Sequence, residues 1–336
     1  MSRLKAYEIR NNNGGSARIL NLGARIIELN IPTKQHGLIN TVLGYDNLAR
    51  YQQDDMYHGA MIGRCANRIA NGQFTLNNQI YLLDKNNQQH HLHGGENGCH
   101  QLIWQVEEQT QSDTLILSTQ LRQDNDGYPG TLDITVTYRL TDENELKISW
   151  TGYCDQDSYF NMTSHSYFNL SGFGDIKQHY LRIPSEDYTP VDHQQIPLGP
   201  IMPVRNSPFD LTEFIMLGPV IDSQLPDILE FGGFDHNWAG IETETESLRG
   251  ELYSPDTQLL MKVYATVPGL QCYTGNQLAL SNVHGSHEGV CLEPQYFPDT
   301  PNQPEFPSCE IKANQRVSHS MTLKFCQITL LDLTNG

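Results

Sequence analysis

Leu132-Asp133-Ile134-Thr135-Val136-Thr137-Tyr138-Arg139-Leu140-Thr141-Asp142-Glu143-Asn144-Glu145-Leu146-Lys147-Ile148-Ser149-Trp150 alternates apolar and polar side chains on either side of a polar break. Successive side chains of an extended chain point to opposite faces, so Leu132, Ile134, Val136, Tyr138 and Leu140 share one face. Thr135, Thr137 and Arg139 take the other. After the turn Thr141-Asp142-Glu143-Asn144, the apolar face resumes with Leu146, Ile148 and Trp150. This is a β-hairpin with one face made for a core.

The same period recurs in both directions from this hairpin. Phe74, Leu76 and Ile80 flank Asn77-Asn78, and asparagine tolerates the positive φ of tight hairpin turns. Leu259, Met261, Val263 and Ala265 follow the break Ser254-Pro255-Asp256-Thr257, and Val317, Met321, Leu323 and Phe325 predict a last strand. No long segment keeps a helical stripe, and 27 glycines with 17 prolines interrupt most windows. A short helix is expected around Asp222-Ser223-Gln224-Leu225, limited by Pro226. Pro298 to Pro307 reads as a long surface connection. With no repeat or linker, the expectation is an all-β chain: a large antiparallel β-sandwich, residues 1–336 forming a single domain.

Composition narrows the function. The chain has 21 Lys and Arg against 39 Asp and Glu, a formal charge of −18. Nucleic acid and anionic membranes call for a basic face, so neither is an expected partner. Mean hydropathy is −0.48, and no run reaches the ~20 apolar residues of a spanning helix. No apolar run follows the early charges of MSRLKAYEIRNNNGG, so no signal peptide is read there, and a cytoplasmic location is expected. Seven cysteines without a C-x-x-C pair predict reduced thiols.

Several polar clusters compete with ordinary structural readings. Asn86 to Gly95 contains His91 and His93, which would share a face of a strand and suit a metal, or would merely decorate a polar loop. For a cupin-like metalloenzyme, Glu96 follows His93 too soon. Asn161, Thr163, His165 and Tyr167 alternate onto one strand face that is unusually polar for packing, so it meets water or lines a groove. Gly232-Gly233-Phe234-Asp235-His236-Asn237-Trp238 offers the carboxylate, amide and indole that sugars bind, or a turn with a packed tryptophan. Glu293 interrupts the apolar run Val290-Cys291-Leu292; partial burial there would raise its pKa towards that of a useful base. Arg64 and Arg68 read, at their simplest, as surface charges at a strand entry. Gly172-Phe173-Gly174 begins a dinucleotide loop, but Lys177 stands where the third glycine belongs, so no nucleotide cofactor is expected.

In order, these segments resemble the aldose 1-epimerase family. The similarity runs through Gly63 to Ile69 (G-R-x-x-N-R-I), Leu92 to Gly95 (L-H-G-G), Gly127 to Gly130 (G-Y-P-G) and Asn161 to Leu170 (N-x-T-x-H-x-Y-F-N-L). It continues through Gly233 to Asn237, Pro268 to Asn276 and Leu292 to Asp299, covering roughly residues 10 to 330. The resemblance implies a galactose-mutarotase-like β-supersandwich and an enzyme that interconverts the α and β anomers of free hexoses without cofactor or metal. It implies Glu293 as general base, His165 as general acid and His93 as a second catalytic or orienting imidazole. It also implies that Asn67, Arg68, Asp235 and Gln271 hold the hydroxyls of a small-molecule sugar, in a monomer or homodimer. Pro294, where the family often has threonine, withdraws a backbone donor from its strand. Acid–base ring opening needs an ionised Glu293 beside a protonated His165, and Asp235 is expected to keep that imidazole cationic. Two rivals stand beside this reading: a non-catalytic carbohydrate-binding sandwich and an epimerase of a hexose 6-phosphate.

Overall fold

The computed structural model describes residues 4–108 and 111–335. The opening hairpin forms as read: Leu132–Leu140 and Glu145–Cys154 pair antiparallel, with Leu140 opposite Leu146. Its apolar face is fully buried, including Tyr138 and Trp150. Burying each side chain of Leu or Ile size contributes about 1.5–3 kcal/mol. Tyr138 escapes the cost of a buried hydroxyl by donating to Ala24 O at 2.6 Å.

This hairpin lies within a nine-stranded sheet. Arg316–Gln327 pairs with Glu145–Cys154 on one edge and with Leu259–Ala265 on the other, so the last strand stitches two hairpins together. A six-stranded sheet runs Tyr167–Phe168, Val290–Gln295, Gly269–Tyr273, Asp235–Ala239, Asp187–Thr189, Met202–Pro203. A four-stranded sheet comes from residues 6–40. Every strand pair within these three sheets is antiparallel. A shared core of apolar residues from all three holds them together. Among the described residues, no helix is long and apolar enough to cross a membrane.

Local expectations are corrected in four places. Asn77 and Asn78 do take positive φ, 50° and 62°, but Ile80 lies on the exposed side of its strand. Pro226 does not cut a helix short. It starts one, Pro226–Leu229, where its missing N–H costs nothing, while Leu217–Ile221 forms just before. The stretch 298–307 is not wholly superficial, since Asp299, Thr300 and Phe306 are buried and Asp299 accepts from Ala70 N at 2.9 Å. Pro294 leaves the ladder intact: it sits opposite Leu270, between the pairs Gln271–Glu293 and Gly269–Gln295.

Candidate active site

The site is written in the register of the six-stranded sheet. Tyr167 lies opposite Cys291, Cys291 opposite Tyr273, and Tyr273 opposite Asp235. In the next row on the same face, Glu293 faces Gln271, Gln271 faces Asn237, and Asn237 faces Thr189. Extending the Tyr167–Cys291 register by two residues brings His165 beside Glu293, and His165 Nε2 stands 3.8 Å from Glu293 Oε1. The alternate residues Leu270, Cys272, His236, Trp238 and Leu292 point away and are buried. One face of the sheet is thus core and the other is a polar floor, which the alternation at Asn161-Thr163-His165-Tyr167 foreshadows.

Loops build the wall. Asn67 and His93 both take left-handed φ, 63° and 55°. Asn67 N donates to His93 Nδ1 at 3.2 Å, and His93 N donates to Asn67 O at 3.1 Å. With Nδ1 accepting, a neutral His93 carries its proton on Nε2. The turn that follows needs glycine: a Cβ on Gly94 would come within 1.9 Å of Gly63 O. The resulting cavity of about 440 Å³ is lined by His93, His165, Glu293, Asn67, Arg68, Asp235 and Gln271, all the residues expected from the sequence. Residues without a sequence signal join them. Tyr57 packs its ring against His93 and His165, and Gln195 contacts Arg68 and Asp235. Asn87, inside the polar cluster quoted above, accepts from Arg68 Nε at 3.3 Å.

Several expected residues stand elsewhere. His91 shares no face with His93, because the strand ends at Leu92 and His93 leaves it in a left-handed turn. His91 lies buried with Nδ1 2.8 Å from Asp84 Oδ1, outside the cavity lining, so the two imidazoles do not form a joint metal site. Trp238 is not a sugar platform: its Nε1 donates to Phe209 O at 2.9 Å within the core. Arg64 is no surface charge. It is fully buried, with Nε on Asp126 Oδ2 at 2.9 Å and Nη1 on Pro129 O at 2.8 Å, and so fastens the Gly127–Gly130 turn. Among the described residues, one grouping of possible metal donors occurs, His165, Cys291 and Glu293 within 4.8 Å. Two of its three members are the carboxyl and the imidazole that the sequence resemblance implies as base and acid.

Electrostatics reverse the expected proton placement. Burial, aided by the charge of Asp235, pushes the Glu293 carboxyl well above its usual range. Burial pulls His165 down to about 3, and Asp54 and Arg25 add opposing smaller effects. Asp235 therefore acts on the carboxylate and does not keep the imidazole cationic. Of the two groups, Glu293 holds its proton the more tightly. Burial also holds His93 well below its ordinary value, with the His165 charge adding to the effect, so His93 is a neutral donor. Glu293 Oε2 and Gln271 Oε1 are buried without a protein partner. Unmade hydrogen bonds of this kind cost roughly 1–3 kcal/mol each unless a ligand or water completes them.

Asp54, on the cavity lining, centres a buried network that has no sequence signal. Asp54 accepts from Arg25 Nη1 at 2.5 Å, Tyr45 Oη at 2.8 Å and His58 N at 2.7 Å. It anchors the segment that carries Tyr57. No local pattern joins Arg25 to Asp54, 29 residues apart.

The family model for aldose 1-epimerase matches residues 5–324. The chain is 36% identical to a galactose mutarotase of Rattus norvegicus over 315 residues, covering 91% of this chain and 90% of that protein. It is 32% identical to an aldose 1-epimerase of Escherichia coli K12, covering 94% of each. In structure it is similar to an aldose epimerase homologue from C. elegans, with a TM-score of 0.89 and 25% identity over 97% of this chain and all of that one. It also matches a galactose 1-epimerase from Lactobacillus acidophilus in fold, with a TM-score of 0.83 at 23% identity over 97% of this chain and 99% of that one.

Proposed function

The chain belongs to the aldose 1-epimerase family, and from that premise we propose that it interconverts the α and β anomers of free aldohexoses, galactose among them, by proton transfer between Glu293 and His165. One observation carries the reading: a buried carboxyl and a buried imidazole stand 3.8 Å apart on the floor of a cavity walled by hydroxyl-binding groups.

The chemistry needs one proton and two places to put it. Glu293 takes the proton of the C1 hydroxyl while His165 gives one to the ring oxygen, and the C1–O5 bond breaks to the open-chain aldehyde. Rotation about C1–C2 presents the other carbonyl face, and the same pair closes the ring. His93, donating through Nε2, orients an oxygen at the reacting end. Arg68, Asp235, Gln271 and Asn67 hold the remaining hydroxyls. Each positioned acid or base contributes ~10²–10⁴-fold. A purely carbohydrate-binding role leaves the buried pair unexplained, because burying ionisable groups without a task is costly.

The reversed proton placement makes a distinct pH profile. Between the depressed value of His165, about 3, and the raised value of Glu293, the pair holds one proton in total. The productive arrangement is a fixed minor fraction of that singly protonated pair. kcat/KM is therefore expected to stay level through pH 4.5, the ordinary glutamate value, instead of showing a limb there. It should fall at the alkaline side only where the pair loses its last proton, from Glu293. An acid limb at the ordinary glutamate value would contradict this placement.

The substrate class follows from the lining charges. Among the described residues that line the cavity, Arg68 is the only lysine or arginine, against Asp54, Asp55, Glu96 and Asp235. A phosphate dianion requires a cationic cradle. Galactose and glucose are expected to exceed glucose 6-phosphate in kcat/KM by at least ~10-fold at equal ionic strength, the weight of one 1.4 kcal/mol charge effect. Preference for the phosphate ester would replace this reading with the sugar-phosphate one.

A further inference from the structure

Between Thr189 and Met202 the chain forms a loop whose tip is tied by Asp192. Its Oδ1 accepts from Gln194 N at 2.8 Å and Ile196 N at 3.0 Å, and its backbone oxygen accepts from Gln195 N at 2.8 Å. The loop rests on the opposite wall, where Gln89 Nε2 donates to Gln194 Oε1 at 2.7 Å. Gln195, at φ 63°, places its carboxamide between the two charged sugar-binding residues. Its Oε1 accepts from Arg68 Nη2, and its Nε2 donates to Asp235 Oδ2.

The other sides of both charges are occupied. Arg68 Nε and Nη1 point to Asn87 and Asn67, at 3.3 and 3.5 Å, and Asp235 Oδ1 accepts from Gln271 at 2.7 Å. The gap from Arg68 Nη2 to Asp235 Oδ2 is therefore where one ligand group can join cation to anion. A sugar hydroxyl suits that gap, since its oxygen accepts and its proton is donated. The carboxamide of Gln195 already offers the same acceptor and donor in the same order.

We infer that Gln195 is a gate residue: it occupies the place of a sugar hydroxyl between Arg68 and Asp235, and the aldose binds by exchanging with it. The inference deepens the mutarotase reading and rests on it. The contact keeps both charges hydrogen-bonded, and apparent affinity is reduced by the fraction of time the gate is shut.

The test is polarimetric KM and kcat for galactose with the wild-type enzyme, Gln195→Ala and Gln195→Leu, together with calorimetric galactose affinity for each change in a Glu293→Gln background. Both variants should lower KM and Kd by ~3–10-fold, the expected relief from a gate shut for most of the time, with kcat within about twofold of wild type. Leucine keeps the bulk without the amide, so its agreement with alanine assigns the effect to hydrogen-bond exchange. A rise in KM would make Gln195 a sugar ligand, and an unchanged KM or a leucine variant that behaves as wild type would equally overturn the gate. Failure of the wild-type enzyme to turn over any free aldose would instead sink the mutarotase reading beneath it.

Discussion

Glu293→Gln is expected to lower kcat for galactose by ~10²–10⁴-fold, the contribution of one positioned proton-transfer group, while the protein folds and still binds the sugar. The amide keeps the shape of the side chain opposite Gln271 but cannot take the C1 hydroxyl proton. The same change should also alter the pH dependence of stability. The folded carboxyl is raised well above 4.5 by burial and by Asp235. The stability it contributes is therefore complete below the unfolded value and is lost as pH rises through the folded one. The variant lacks that loss, so its melting temperature should gain on the wild-type one as pH rises above 4.5. Near-normal turnover would remove Glu293 from the base role.

The largest effect on stability is expected at Asp126. Arg64 and Asp126 are fully buried partners, and the guanidinium also holds the Pro129 and Gly130 carbonyls and Ser158 Oγ. Asp126→Ala strands a positive charge in the core, which costs about 3–5 kcal/mol. It also removes the acceptor of Tyr128 N at 3.1 Å. A urea denaturation curve reads the loss directly. A change under about 1 kcal/mol, the scale of an exposed pair, would show that the Gly127–Gly130 turn is held by other contacts.

The strands were legible because their alternation survives in the raw chain. Leu132 to Trp150 and Leu259 to Ala265 follow it residue by residue. Glu293 stood out for the same reason, as a carboxylate where a strand facing a core would place an apolar residue. Alternation also decides the segment from Asp235 to Trp238: Asp235 and Asn237 face the floor, so Trp238 must face the core. Composition alone leaves the indole open between a sugar platform and a packed side chain, and register decides for the packed one. His91 and His93 misled in the opposite sense. Strand alternation fails as soon as His93 turns left-handed, and nothing before Gly94-Gly95 announces that turn. Arg64 looked like a surface charge because its partner lies 62 residues away. Tyr57 and Gln195 reach the pocket through loops fixed by distant contacts, and such approaches leave no local pattern. The proton placement was illegible for a related reason: burial is a property of the assembled sheet, and it outweighs the charges nearby in sequence.

The most direct measurement follows optical rotation from freshly dissolved α-D-galactose, with the sugar composition checked by NMR at the end. The account predicts an approach to equilibrium whose rate rises in proportion to enzyme concentration, with the final α to β ratio and the sugar itself unchanged. No acceleration over buffer, or a product other than the two galactose anomers, would contradict it.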